Sequence, residues 1–156
     1  MKTVHDMVEE AKGHIQEVNV DEAKQAIADA DYLIDVREED EFHAGHIEGA
    51  INIPRGVLEF KLSSEEALAD RMQKVVLYCK SSGRSALAAA AMKEMGYQQV
   101  VSLAGGIEAW QAADQAVVTP NLPDDQLLRL RDSEAAKEKK RAVAMRAIDA
   151  ELLRRG

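Results

Sequence analysis

Three apolar runs of strand length punctuate the chain: YLIDV at 32–36, KVVLYC at 74–79 and QVVSL at 99–103. YLIDV is bounded by polar residues and reads as a strand buried on both faces. Between and around these runs lie helical patterns, DEAKQAIADA at 21–30, SEEALADRM at 64–72 and RSALAAAAMKEMG at 84–96. Strands alternating with helices at this spacing predict an α/β domain with a largely parallel central sheet flanked by helices. In such sheets ligands sit outside the carboxyl ends of the strands. Two strands are expected to stop near the same edge, one leading into Asp35 and Arg37, the other into Cys79.

The remaining elements follow from spacing and punctuation. Val4, Val8, Ala11 and Ile15 predict an amphipathic helix over residues 3–16, followed by a short strand at 17–20 and a helix capped by Asp21. AINIP is a short strand closed by Pro54, and Ser63 with Glu66 forms a capping box opening the helix at 64–72. Gly96 ends the alanine-rich helix where a left-handed cap is wanted, AGG makes a turn, and IEAWQAA a short helix. Two of the chain's three prolines fall in VVTPNLPDD. The expected organisation is therefore an N-terminal helix at 1–16, a domain at 17–116, a linker at 117–124 and a helical extension at 125–156. In the extension Leu127, Leu130, Ala142, Met145, Ile148 and Leu152 make an apolar stripe that must be buried on its own domain or on a partner, so a homodimer through the terminal helices is an expectation.

Composition excludes several classes of function. A net charge of −8 argues against nucleic acid as the main partner, since phosphate binding needs a basic field. The basic cluster Lys139-Lys140-Arg141 is interleaved with Glu134 and Glu138 and reads as a solvated helix face. No apolar run is long enough to cross a bilayer, and residues 1–13 lack a signal-peptide core, so no membrane partner and a cytoplasmic location are expected. A single cysteine allows no internal disulfide, no CxxC pair and no cysteine-based zinc cluster. His43 and His46 lie three apart with no third ligand nearby, so neither a metal nor another cofactor is expected.

That cysteine stands in an unusual place. KVVLYC delivers Cys79 into the polar loop KSSGRS, and a helix follows at once, aiming backbone N–H groups and the positive end of a helix dipole at one point. Lys80 and Arg84 add cations, and such surroundings favour a thiolate nucleophile over an inert buried thiol. Protein tyrosine phosphatases place five residues between Cys and Arg, enough to wrap a phosphate. Here only Lys80, Ser81, Ser82 and Gly83 intervene, and a smaller ring of amides suits a smaller charged group such as a terminal persulfide sulfur.

With these residues in view, the chain resembles a single-domain rhodanese. LIDVREEDEFHAGHIEGAINIP at 33–54 resembles that family's first signature, VVLYCKSSGRSALAA at 75–89 its active-site loop, and GYQQVVSLAGGIEAW at 96–110 its closing signature. The resemblance covers about residues 17–115. It implies a rhodanese-like α/β domain acting as a sulfurtransferase. Cys79 would take a sulfane sulfur from an anionic donor such as thiosulfate and pass the persulfide sulfur onward. Lys80, Ser81, Ser82, Gly83, Arg84, Ser85 and Arg37 are the expected donor-binding residues. Asp35, Glu41, His46 and Trp110 are the expected structural supports, with Arg37 and Glu41 as a buried ion pair. Ser82 stands where many relatives carry a second glycine, and Ile107 where an aromatic residue is common. Lacking a second cysteine, the chain would need an external acceptor: cyanide, a small thiol or a protein cysteine. Two other readings stay open at this point, a phosphatase or arsenate reductase on the same fold, and a non-catalytic binding or scaffold module.

Overall fold

The computed structural model describes residues 1–119. In chain order these form α1 (Val4–Lys12), β1 (Gln16–Val18), α2 (Val20–Asp29), β2 (Tyr32–Asp35), α3 (Glu39–Ala44), β3 (Ile51–Asn52), α4 (Leu58–Ser64), β4 (Lys74–Tyr78), α5 (Gly83–Glu94), β5 (Gln99–Leu103) and α6 (Gly106–Ala112). The five strands make one sheet in the order β1-β5-β4-β2-β3, and every neighbouring pair is parallel. Central β2 and β4 are paired with Asp35 opposite Tyr78, and the Val36 N–H donates to the Tyr78 carbonyl at 3.0 Å. Asp35, Arg37 and Cys79 consequently emerge at one edge of the sheet, as the strand-end argument required.

The alternation of side chains along each strand builds two cores. On one face Ile34, Val36, Val75, Leu77 and Cys79 pack with Leu58 and Leu62 of α4 and with Ala88, Ala89 and Met92 of α5. On the other, Leu33, Val76, Tyr78 and Leu103 pack with Ala23 of α2 and with Ile107 and Trp110 of α6. The alanines of α5 let its backbone lie close to the sheet, and this fixes the height at which the helix N-terminus meets Cys79. Truncating the fully buried Met92 to Ala should therefore cost about 2–5 kcal/mol, as core truncations of this size do.

Several local expectations give way to other signals. Asn19, not Asp21, caps α2: its Oδ1 accepts from the Glu22 N–H at 2.9 Å while the Glu22 carboxylate reaches back to the Asn19 N–H, a full capping box two residues earlier. The helix expected at 64–72 is instead α4, ending at Ser64, followed by a single 3₁₀ turn at Glu66–Leu68. Leu58 and Leu62, four apart and buried, nucleate the earlier segment, so Ser63 lies inside a helix and caps nothing. The first helix stops at Lys12, and the strand after it begins at Gln16. At the end of the described chain Val118 exchanges backbone hydrogen bonds with His46, at 2.7 and 3.0 Å. The rest of the expected linker and the whole C-terminal extension, with its stripe from Leu127 to Leu152, lie outside the described residues. Among the described residues no helix is long and apolar enough to cross a membrane.

Candidate active site

Cys79 is the first residue past β4, buried on the α5 face of the sheet. The loop from Lys80 to Ser82 then turns directly into α5. What holds this loop in shape is α6: the N–H groups of Ile107 and Glu108 donate to the carbonyls of Cys79 and Lys80, at 2.9 and 3.2 Å. The approach is so close that a Cβ on Gly106 would stand 2.5 Å from both carbonyl oxygens. Gly105 and Gly106 also have φ of 77° and 61°, which side-chain-bearing residues rarely adopt. The double glycine therefore serves the Cys79 loop as well as the turn.

Inside the loop a chain of hydroxyls reaches the sulfur. Cys79 Sγ lies 3.5 Å from Ser85 Oγ, which donates to the Ser82 carbonyl at 3.2 Å and accepts from Ser102 Oγ at 2.8 Å. Ser85 and Ser102 are both fully buried. A hydroxyl rotor can also turn to donate to an anionic sulfur, so Ser85 suits both the thiol and the thiolate. Ser82 has a φ of 163°, outside the left-handed range, so serine in place of the common glycine carries no left-handed strain. Its Oγ accepts from Lys12 Nζ of α1 at 2.9 Å. Lys80 and Ser81 are exposed, Gly83 and Arg84 half-buried. A cavity of about 390 Å³ opens beside Cys79, lined also by Ser81, Gly83, Arg84, Leu87 and three α1 residues.

The charged groups pair differently from the expected Arg37–Glu41 bridge. Arg37 is buried and gives its guanidinium to Asp35, at 2.7 and 3.1 Å, and to the Gly45 carbonyl at 2.6 Å. Through Nε and Nη2 it braces the strand ends. Burial works against its charge, but the bonds to Asp35 more than offset this and hold its pKa above the ordinary value. Glu41 instead takes Arg84, Nη1 to Oε1 at 2.7 Å and Nη2 to Oε2 at 3.0 Å. Those hydrogen bonds from Arg84 hold the Glu41 carboxyl down at about 2. The exchange has a simple cause: α3 carries Glu41 toward the start of α5, while Asp35, two residues from Arg37, is already in place.

His46 donates through Nδ1 to the Phe42 carbonyl at 3.1 Å and stacks on the Phe42 ring. Trp110 is buried, its indole N–H donating to the Ala116 carbonyl at 3.1 Å. Among the described residues no three His, Cys, Asp or Glu side chains group as a metal site would need. Four contributors escaped the sequence reading. Lys12 and Ser102 lie far along the chain from the loop and carry no local signal. Gly106 had one in its doubled glycine before a helix. Tyr78 had one as a polar-tipped residue in an otherwise apolar strand; its hydroxyl accepts from the Ile47 N–H at 3.0 Å.

The residues from 19 to 113 match the family model of the rhodanese-like domain. The chain belongs to the rhodanese-like family. A curated sulfurtransferase of Allochromatium vinosum is 33% identical over 108 residues, 68% of this chain and 97% of that one. An uncharacterized Bacillus subtilis protein, YqhL, is 42% identical over 78 residues, half of this chain and 59% of that relative. Among solved structures, a Rhodopseudomonas palustris protein of unknown function, described as a possible tyrosine phosphatase, superposes with a TM-score of 0.68 at 28% identity, covering 76% of this chain and 96% of that one. The rhodanese-like match begins after α1, so the helix that carries Lys12 lies outside it.

Proposed function

We propose that the protein is a persulfide-forming sulfurtransferase. The Cys79 thiolate attacks the outer sulfur of an anionic donor such as thiosulfate; the Cys79 S–S bond forms, the donor's S–S bond breaks, and its electron pair leaves with sulfite. An external nucleophile then takes the outer sulfur, and the pair of the broken Cys79 S–S bond returns to Sγ as thiolate. The observation that carries this reading is the loop itself. Its carbonyls at Cys79 and Lys80 are engaged by α6, α5 begins four residues after Cys79, and Ser85 Oγ lies beside Sγ, an arrangement that can stabilise first a thiolate, then an anionic persulfide. The likeness to the Allochromatium vinosum sulfurtransferase supports the same chemistry. The solved relative described as a possible phosphatase supports a second reading, phosphoryl transfer. It is disfavoured because four residues between Cys79 and Arg84 make a narrower cradle than a phosphate needs and because Arg84 is engaged by Glu41.

Incubation with thiosulfate followed by intact-mass measurement tests this. The expected result is the gain of one sulfur atom, absent in Cys79→Ala. Hydrolysis of p-nitrophenyl phosphate with no sulfur gain would favour the phosphatase reading instead.

A further inference from the structure

The α1 helix lies against the active-site loop along one stripe. Val4, Val8 and Lys12, spaced four apart, fall on one helical face. Lys12 donates to Ser82 of the loop. Val8 Cγ2 stands 3.6 Å from where a Gly83 Cβ would be. Val4, His5 and Val8 line the cavity beside Cys79 together with Leu87 of α5. The helix start is fixed by a capping box between Thr3 and Asp6, so this wall is set by the chain's own helix and not by a loose terminus.

The chemistry of the wall does not match inorganic sulfur compounds. At about 390 Å³ the cavity is of the size that holds small organic molecules, far larger than cyanide or sulfite require. Three aliphatic side chains bound it, and its one arginine, Arg84, already has its charge met by Glu41. Such a surface favours a neutral, apolar body over a second anion. We propose that α1 is the acceptor wall of the site: the sulfur goes to an organic thiol whose hydrocarbon part rests on Val4, Val8 and Leu87. The inference builds on the persulfide reading above. In the step itself the acceptor's thiolate, its proton lost to solvent, attacks the outer sulfur of the Cys79 persulfide. The new bond joins the acceptor sulfur to that outer sulfur, the Cys79 S–S bond breaks, and its electron pair stays on Sγ.

Discharge of the thiosulfate-loaded protein, followed by intact mass at equal thiolate concentrations of benzyl mercaptan and 2-mercaptoethanesulfonate, tests the wall. Benzyl mercaptan should discharge the persulfide about tenfold faster, as loss of one well-buried apolar contact would predict. Val8→Asp should bring the two rates close together. Val4→Asp, at a position that is 70% exposed and so safe for folding, should narrow the gap in the same direction. Equal rates in the unaltered protein, or a ratio unmoved in both variants, would overturn the acceptor wall and leave the persulfide reading standing. Failure of the unaltered protein to load sulfur at all would overturn both.

Discussion

Arg84 holds Glu41 with both arms of its guanidinium, at 2.7 and 3.0 Å, across 43 residues of sequence. Arg84, at the start of α5, is thus already engaged, and in the reaction proposed above an anionic donor would compete with a carboxylate for it. The Glu41→Gln variant removes the competing charge while keeping a side chain of the same shape. The KM for thiosulfate should fall about two- to fivefold, since exposed and half-exposed ion pairs are worth about 0.2–1 kcal/mol. A rise in KM would mean that Glu41 positions Arg84 and does not compete for it.

The same pair sets a pH dependence. Glu41 is held down at about 2 by its hydrogen bonds from Arg84, against about 4.3 for an unfolded glutamate. A depressed carboxyl stabilises the fold fully above its unfolded pKa and loses that contribution as pH falls through the folded one. The stability gap between the unaltered protein and Glu41→Gln should be constant from neutral pH to about 5 and shrink between about 4 and 2. Urea unfolding at a series of pH values measures it. A gap as wide at pH 2.5 as at pH 7 would assign the stabilisation to some group other than this carboxylate.

The double glycine offers a sharper test of how the loop is built. An alanine at 106 places its Cβ 2.5 Å from the Cys79 and Lys80 carbonyl oxygens, a distance real side chains do not tolerate, and does so at a positive φ. The loop and α6 must separate, and the two hydrogen bonds from Ile107 and Glu108 are lost. Gly106→Ala should keep its circular dichroism spectrum but melt at lower temperature, with sulfur loading from thiosulfate slowed more than about tenfold, roughly the cost of one misplaced catalytic group. Loading at the unaltered rate would show that the loop keeps its shape without α6.

Much of this was legible in the sequence, and the divide is physical. Apolar runs such as YLIDV and KVVLYC announce buried strands whatever surrounds them, and a polar loop hung on one of them marks Cys79 as a candidate nucleophile without reference to distant residues. Partner choice is another matter. Arg37 and Glu41 are four residues apart and look matched on paper, yet the pairing of β2 with β4 brings Glu41 to Arg84 and leaves Arg37 to Asp35. Lys12 reaches Ser82 across 70 residues for the same reason: α1 packs where the sheet puts α5. Caps fail more locally, since Asn19 and Asp21 are both good caps and only the reciprocal bond from Glu22 decides between them.

The buried cluster under the site carries the last prediction. Asp35 and Arg37 are 0% and 6% exposed, and the Arg37 guanidinium lies 5.8 Å from the centre of the Tyr78 ring. Burial, with the negative Asp35 beside it, pushes the Tyr78 hydroxyl well above its ordinary range, so it stays a neutral acceptor for the Ile47 N–H. Asp35→Ala strands a buried guanidinium and should cost about 3–5 kcal/mol, whereas Tyr78→Phe orphans one buried N–H and should cost about 1–3 kcal/mol. Chemical unfolding of both variants gives the comparison. The two differ in kind as well as size: Asp35 orients Arg37 at the strand end next to the cysteine, so its loss should slow sulfur loading even where the protein remains folded, while Tyr78→Phe should leave loading within about twofold, the spread expected of changes away from the reacting atoms. If Tyr78→Phe proves the costlier change, the cluster is held by the hydroxyl and not by the ion pair.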